Sequence, residues 1–120
     1  MKSKWIEYDG KQIFNQDFSN HFYNTEAVKN ELEEVQAVVT AQPLNSVLVL
    51  SDFRNTNVGR TLLPVMNAAS SATKAHVKRT AVLGVTGVKR TLADMLVQLT
   101  GQSLKYFDDE LQAKVWLTSN

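Results

Sequence analysis

This 120-residue sequence predicts an α/β fold built on a mixed, mostly parallel sheet, and three observations carry that reading. Ala81–Val85 is a short apolar strand that runs through a Gly-Val-Thr-Gly turn (84–87) into an amphipathic stretch closed by Gly101, which is half of a βαβ unit. Ser46–Phe53, SVLVLSDF, is a nearly continuous apolar run of the kind found in strands covered on both faces. Between such strands, apolar residues recur every three or four positions, as on one face of a helix. The resulting order is β-β-α-β-α-β-α-β-α.

Each element has its own signal. Trp5–Tyr8 and Ile13–Phe18 are mostly alternating segments around Asp9-Gly10, a strong hairpin signal, and read as an antiparallel pair opening the sheet. A polar stretch, NQDFSNHFYN, follows. Asn24 or Thr25 is the expected cap of the first helix, Glu26 suits its dipole, and Val28, Leu32, Val35 and Val39 form its apolar stripe before Pro43 ends it. After the central strand, RNTNVGR is a turn-rich loop. The second helix spans Thr61 to His76, with Thr61 as cap and Leu62, Met66, Ala69 and Thr73 on one face. Pro64 is tolerable there, because first-turn amide hydrogens have no internal partners. The third helix carries Val88, Leu92, Met95 and Leu99, with Gly101 just past its end. Leu104–Phe107 is the last strand, and Asp108 is the expected cap of a final helix with Leu111, Val115 and Trp116 facing inward. Right-handed helical crossovers are the economical connection between the parallel strands.

Composition narrows the function classes. The length suits one domain, 1–120, with one core. There is no cysteine, which excludes disulfides, thiolate metal sites and thiol catalysis. His21 and His76 are isolated in sequence, so neither a metal nor a cofactor is expected. A net charge of +1, from 13 basic and 12 acidic residues, gives no field that favours nucleic acid. The segment MKSKWIEYDGK lacks the apolar run of a signal peptide, and no stretch is long enough to span a bilayer, so a cytoplasmic location is expected. The scattered Asp52, Asp94, Asp108 and Asp109 form no paired-acid or Ser-His-Asp arrangement, so binding is expected rather than catalysis.

With these elements in this order, the chain resembles the SpoIIAA-like STAS family of small bacterial proteins. The carriers are Tyr8-Asp9-Gly10-Lys11, Asp17-Phe18-Ser19, Val47 to Phe53, Ala81 to Lys89, and the tail from Phe107-Asp108-Asp109 to Trp116-Leu117. The resemblance covers nearly the whole chain and implies a single STAS-like domain, related in fold to the CRAL-TRIO lipid-transfer domain. STAS-type anti-sigma-factor antagonists carry a phosphorylated Asp-Ser-Ser-Gly after the central strand. Here that region reads Asp52-Phe53-Arg54-Asn55-Thr56-Asn57-Val58-Gly59-Arg60-Thr61, so the phosphoserine role does not carry over.

The candidate sites follow from the strand ends. Thr86, Gly87, Lys89 and Arg90 can cradle an anion at a helix start, although the spacing is not that of a phosphate loop and the glycines equally suit a tight turn. Arg54 and Arg60 can hold a carboxylate or phosphate, and Leu62 and Met66 can line a pocket under a small-residue helix that alternatively packs on its own core. The ligand expected is a lipid or other amphipathic anion, held between the Arg54–Met66 segment and the Gly84–Arg90 turn. The alternative is a phosphorylation-controlled protein-interaction switch at Thr56 or Thr61, with a protein partner. Phe18, Phe22 and Tyr23 are candidates for peripheral membrane contact or for folding back under the sheet edge. Lys74, His76, Lys78 and Arg79 make a local basic cluster, and a homodimer is the prior for a small soluble domain.

Overall fold

The computed structural model describes residues 1–85 and 103–119. Asp9 and Gly10 both sit at positive φ (51° and 75°), as the tightest hairpin turns demand of their two central residues. They join β1 (Lys4–Tyr8) to β2 (Lys11–Asp17) in an antiparallel register that sets Trp5 opposite Phe14 and Tyr8 opposite Lys11. Three further strands then add in parallel: β3 (Val47–Asp52) on β2, β4 (Val77–Leu83) on β3, and β5 (Leu104–Phe107) on β4. The result is a five-stranded mixed sheet in the order β1-β2-β3-β4-β5.

Three helices are described, on both faces of the sheet. Helix α1 (Thr25–Thr40) is capped by the Asn24 side chain, which accepts from the Ala27 amide. Helix α2 (Leu63–Thr73) follows a 3₁₀ turn at Arg60–Leu62, and α3 (Glu110–Thr118) is capped by Asp109, whose carboxylate accepts from the Leu111 amide. Strand alternation divides the core into two. Phe14, Val49 and Val82 pack with Val28, Leu32, Val35 and Val39 of α1 and Ala69 of α2. Ile13, Leu48, Leu50, Ala81 and Leu83 face the other way, against Ala113 and Leu117 of α3. Every residue of β3 is buried, as its apolar run requires of the central strand.

Gly84 explains how the strand ends can crowd together. Its φ is +80°, and a Cβ there would lie 2.5 Å from the Arg54 backbone nitrogen and 2.7 Å from the Phe53 carbonyl carbon. The end of β4 therefore passes directly against residues 53–54, and the Phe53 amide donates to the Leu83 carbonyl at 2.9 Å.

Several boundaries differ from the sequence expectation. Strand β4 begins at Val77, not Ala81, because Lys78 and Arg79 disguise its outer half. The Arg79 guanidinium lies 5.6 Å from the centre of the Trp116 ring and donates to the Trp116 carbonyl at 2.9 Å, so a long charged side chain covers apolar surface on this strand. Thr61 caps nothing, and α2 starts after the 3₁₀ turn with Pro64 in its first turn and ends at Thr73. In α3 the inward face is Ala113, Leu117 and Thr118, while Leu111 and Val115 point outward, 56% and 51% exposed. Trp116 fixes that rotation by packing on Phe107, with ring centres 5.6 Å apart. The expected third helix, with Val88, Leu92, Met95 and Leu99, lies outside the described residues.

Candidate functional site

At the carboxyl end of the sheet, β2 and β3 stop at Asp17 and Asp52, which are register partners. Open α/β sheets place ligand sites at such ends. Here, however, the charges are committed to one another. Arg54 donates from Nε and Nη2 to the two carboxylate oxygens of Asp52, at 3.0 and 2.8 Å, and lies 3.6 Å from Glu110. The hydrogen bonds to Asp52 outweigh partial burial and raise the Arg54 pKa, so the guanidinium is fixed as a cation within this pair.

A second polar network ties the first residues to β2 and α1. Glu31 is buried and accepts from the Ser3 hydroxyl at 2.6 Å and from the Ser3 and Lys2 amides at 3.0 and 3.2 Å. The Ser3 hydroxyl in turn accepts from the Asp17 amide at 2.9 Å. Asp17 accepts from the Ser19 amide and hydroxyl and faces Lys2 at 3.6 Å. Burial works to raise both carboxyl pKa values, but these donors together outweigh it and hold Glu31 and Asp17 below the usual range. Both carboxylates are therefore satisfied structural anions. Among the described residues no cluster of three His, Asp or Glu side chains could hold a metal ion.

The other feature is a cavity of ≈ 110 Å³ between the sheet and helices α1 and α2. Its floor includes Val49, Ser51, Thr80 and Val82 of the central strands. Leu32 and Val35 of α1 wall one side, and Leu63, Met66 and Ala69 of α2 the other. Val58, Phe53 and Val85 close it toward the carboxyl end of the sheet. The small side chains of α2 thus leave space above the sheet instead of closing on it.

The candidate residues fall in separate places. Met66 lines the cavity, whereas Leu62 is buried in the adjoining core and is not part of the wall. Arg54 and Arg60 are also outside the wall: Arg54 is spent on Asp52, and Arg60 is exposed at the start of the 3₁₀ turn. Thr86, Gly87, Lys89 and Arg90 lie outside the described residues. Thr56, a candidate phosphoacceptor, is only 1% exposed; its hydroxyl donates to the Phe18 carbonyl at 2.5 Å and accepts from the His21 amide at 3.1 Å. It pins two loops together, and the switch alternative narrows to the exposed Thr61.

The aromatic trio separates as well. Phe18 is buried and stacked on Phe53, ring centres 4.9 Å apart, so it belongs to the core. Phe22 and Tyr23 are 62% and 83% exposed. Phe22 holds a positive φ of 52°, pinned by its amide donating to the Asn55 carbonyl and its own carbonyl accepting from the Asn57 amide. Positive φ is uncommon for a bulky residue and needs such anchoring.

The residues that sequence reasoning missed are Ser51, Thr80 and Gln16, polar side chains on the cavity side of the central strands. Their period-two placement among valines was the available signal. No helix among the described residues is long and apolar enough to cross a membrane. No family model, curated protein or solved structure matches the chain.

Proposed function

We propose that this chain is a non-catalytic binding or regulatory module that holds a small apolar or amphipathic molecule between its sheet and helices α1 and α2. The observation that carries the reading is the ≈ 110 Å³ cavity. Well-packed interiors contain few voids larger than a water molecule. An apolar void of about 150 Å³ is enough to take up benzene or xenon. The cavity is of that order, and its walls are mainly valine, leucine, phenylalanine and methionine.

The order of the sequence motifs supports a single STAS-like domain. A peripheral contact through Phe22 and Tyr23 is a secondary reading, favoured by the exposure of both rings and the pinned backbone of Phe22. Liposome flotation tests it: binding that survives Phe22→Ser with Tyr23→Ser would end that reading.

The ligand reading is tested by thermal unfolding of the full chain with and without toluene. A guest that binds only the folded state raises the melting temperature. Toluene is expected to stabilise the wild-type protein, and Ala69→Leu, which fills the space from α2, is expected to remove the effect. No stabilisation of a folded wild-type protein by toluene, 1-hexanol or hexanoate would refute the reading.

A further inference from the structure

We infer that the cavity takes a compact neutral molecule with one hydrogen-bonding group, seated at the Thr80 hydroxyl, and not an anion or a long-chain lipid. The inference rests on the ligand-binding reading above and specifies its chemistry. The first support is the wall itself: among the described residues that line it there is no Lys, Arg, His, Asp or Glu. An ion entering this space would surrender its hydration with no opposite charge among these described wall residues to receive it. Of the candidate cations among the described residues neither lines the cavity: Arg54 is committed to Asp52 and Glu110, and Arg60 is exposed at the start of the 3₁₀ turn.

The second support is an unpaired hydroxyl. Thr80 is 6% exposed, lies in the cavity wall, and its side chain makes no hydrogen bond among the described residues. As a cavity-lining hydroxyl that can both donate and accept, it is able to pair with a polar group on a guest. It does not stand alone. Gln16 and Ser51 are register partners joined by a 3.0 Å hydrogen bond from the Ser51 hydroxyl to the Gln16 side-chain carbonyl. Ser51 is the register partner of Val82, and Thr80 precedes Val82 by two residues on the same face. Gln16, Ser51 and Thr80 therefore form a staggered polar row across three neighbouring strands, Thr80 lying in register with Val49 two residues before Ser51, and Gln36, Ser70 and Thr73 add further neutral polar residues to the wall. The row offers neutral donors and acceptors only.

The third support is size. At ≈ 110 Å³ the space is of the order that takes up benzene, which suits a guest of roughly six to eight non-hydrogen atoms. A hydroxyl, carbonyl or amide on a short aliphatic or aromatic body meets all three conditions.

The test is an amide-resolved NMR titration of the full chain with 1-hexanol and with hexanoate at neutral pH. 1-Hexanol is expected to shift the Ser51, Thr80 and Val82 amides in a saturating manner, and hexanoate to bind at least about tenfold more weakly. Thr80→Val, which keeps the shape and removes the hydroxyl, is expected to weaken 1-hexanol roughly five- to tenfold, and Thr80→Ser to restore most of the affinity. Equal or tighter binding of hexanoate would overturn the neutral-ligand inference while leaving the cavity reading intact. Unchanged 1-hexanol affinity in Thr80→Val would overturn the seat at Thr80. If 1-hexanol, hexanoate and toluene all fail to bind the folded wild-type chain, the ligand reading falls together with the inference.

Discussion

Replacing Gly84 by Ala tests the close approach that shapes the carboxyl end of the sheet. Two costs add at this position. A side chain at φ +80° is strained, by about 1–2 kcal/mol. The new Cβ would also sit 2.5–2.7 Å from backbone atoms of Phe53 and Arg54, which cannot swing aside as a flexible side chain would. Relieving that overlap forces β4 from the 53–54 segment and stretches the Phe53-to-Leu83 hydrogen bond, for about 2–3 kcal/mol more. A stiffer unfolded chain returns about 0.5–1 kcal/mol. The net loss is about 3 kcal/mol, or about 12 °C in melting temperature at this chain length. Gly10→Ala is the control: its φ is +75°, but nothing lies within 4 Å of the added Cβ. It carries the conformational cost alone, and a drop of about 2–4 °C is expected. Thermal and urea unfolding of both variants supply the comparison. If Gly84→Ala costs no more than Gly10→Ala, the packing of β4 against Arg54 is not as described.

Glu31 and Asp17 have folded pKa values below their ordinary 4.5 and 3.8, so their stabilisation is complete above those values and is lost as pH falls through the lower folded ones. Urea-derived stability should therefore fall as the pH is lowered below about 4.5, less steeply in Glu31→Gln; identical profiles would show that Glu31 does not hold the Ser3 donors. Thr56→Val should cost about 2–4 kcal/mol, because the Phe18 carbonyl and His21 amide both lose a buried partner, while Thr56→Ser retains most of the stability in urea unfolding. Arg54→Gln should lower stability by about 1–2 kcal/mol, since buried Asp52 loses a half-exposed partner. Its 1-hexanol affinity should stay within about twofold of wild type, because Arg54 does not reach the cavity. A large loss of affinity would return Arg54 to the ligand site.

Where one physical rule decided an element, its residues announced it. Asp9-Gly10 could hardly be anything but a tight turn, and the Val28-Leu32-Val35-Val39 stripe gave α1 its buried face. The Val47–Asp52 run marked a strand covered on both sides. The reading failed where tertiary contacts chose between equal local options. In α3, residues 111/115 and 113/117 are both spaced four apart, and only the docking of Trp116 on Phe107 and Arg79 selects the second pair. The start of β4 was hidden by Lys78 and Arg79, charged residues that break the apolar pattern; the Arg79 side chain lies against the Trp116 ring. Thr56 read as a candidate phosphoacceptor because its two backbone partners, at residues 18 and 21, are distant in sequence.

The candidate site was less legible than the fold. Small residues in α2 were compatible with close packing or with open space, and spacing alone could not separate the two. The arginines suggested an anion, yet Arg54 is taken up by an acidic neighbour two residues away and by another across the fold. The polar row of Gln16, Ser51 and Thr80 emerges only once β2, β3 and β4 are set in register.

Xenon derivatisation of crystals of the full chain tests the central claim most directly, because xenon occupies accessible apolar space without needing any particular chemistry. The account predicts a xenon peak between the sheet and α2, in contact with Val35, Met66 and Val82. Crystals that take up xenon elsewhere but show closed, fully packed side chains at that position would contradict it.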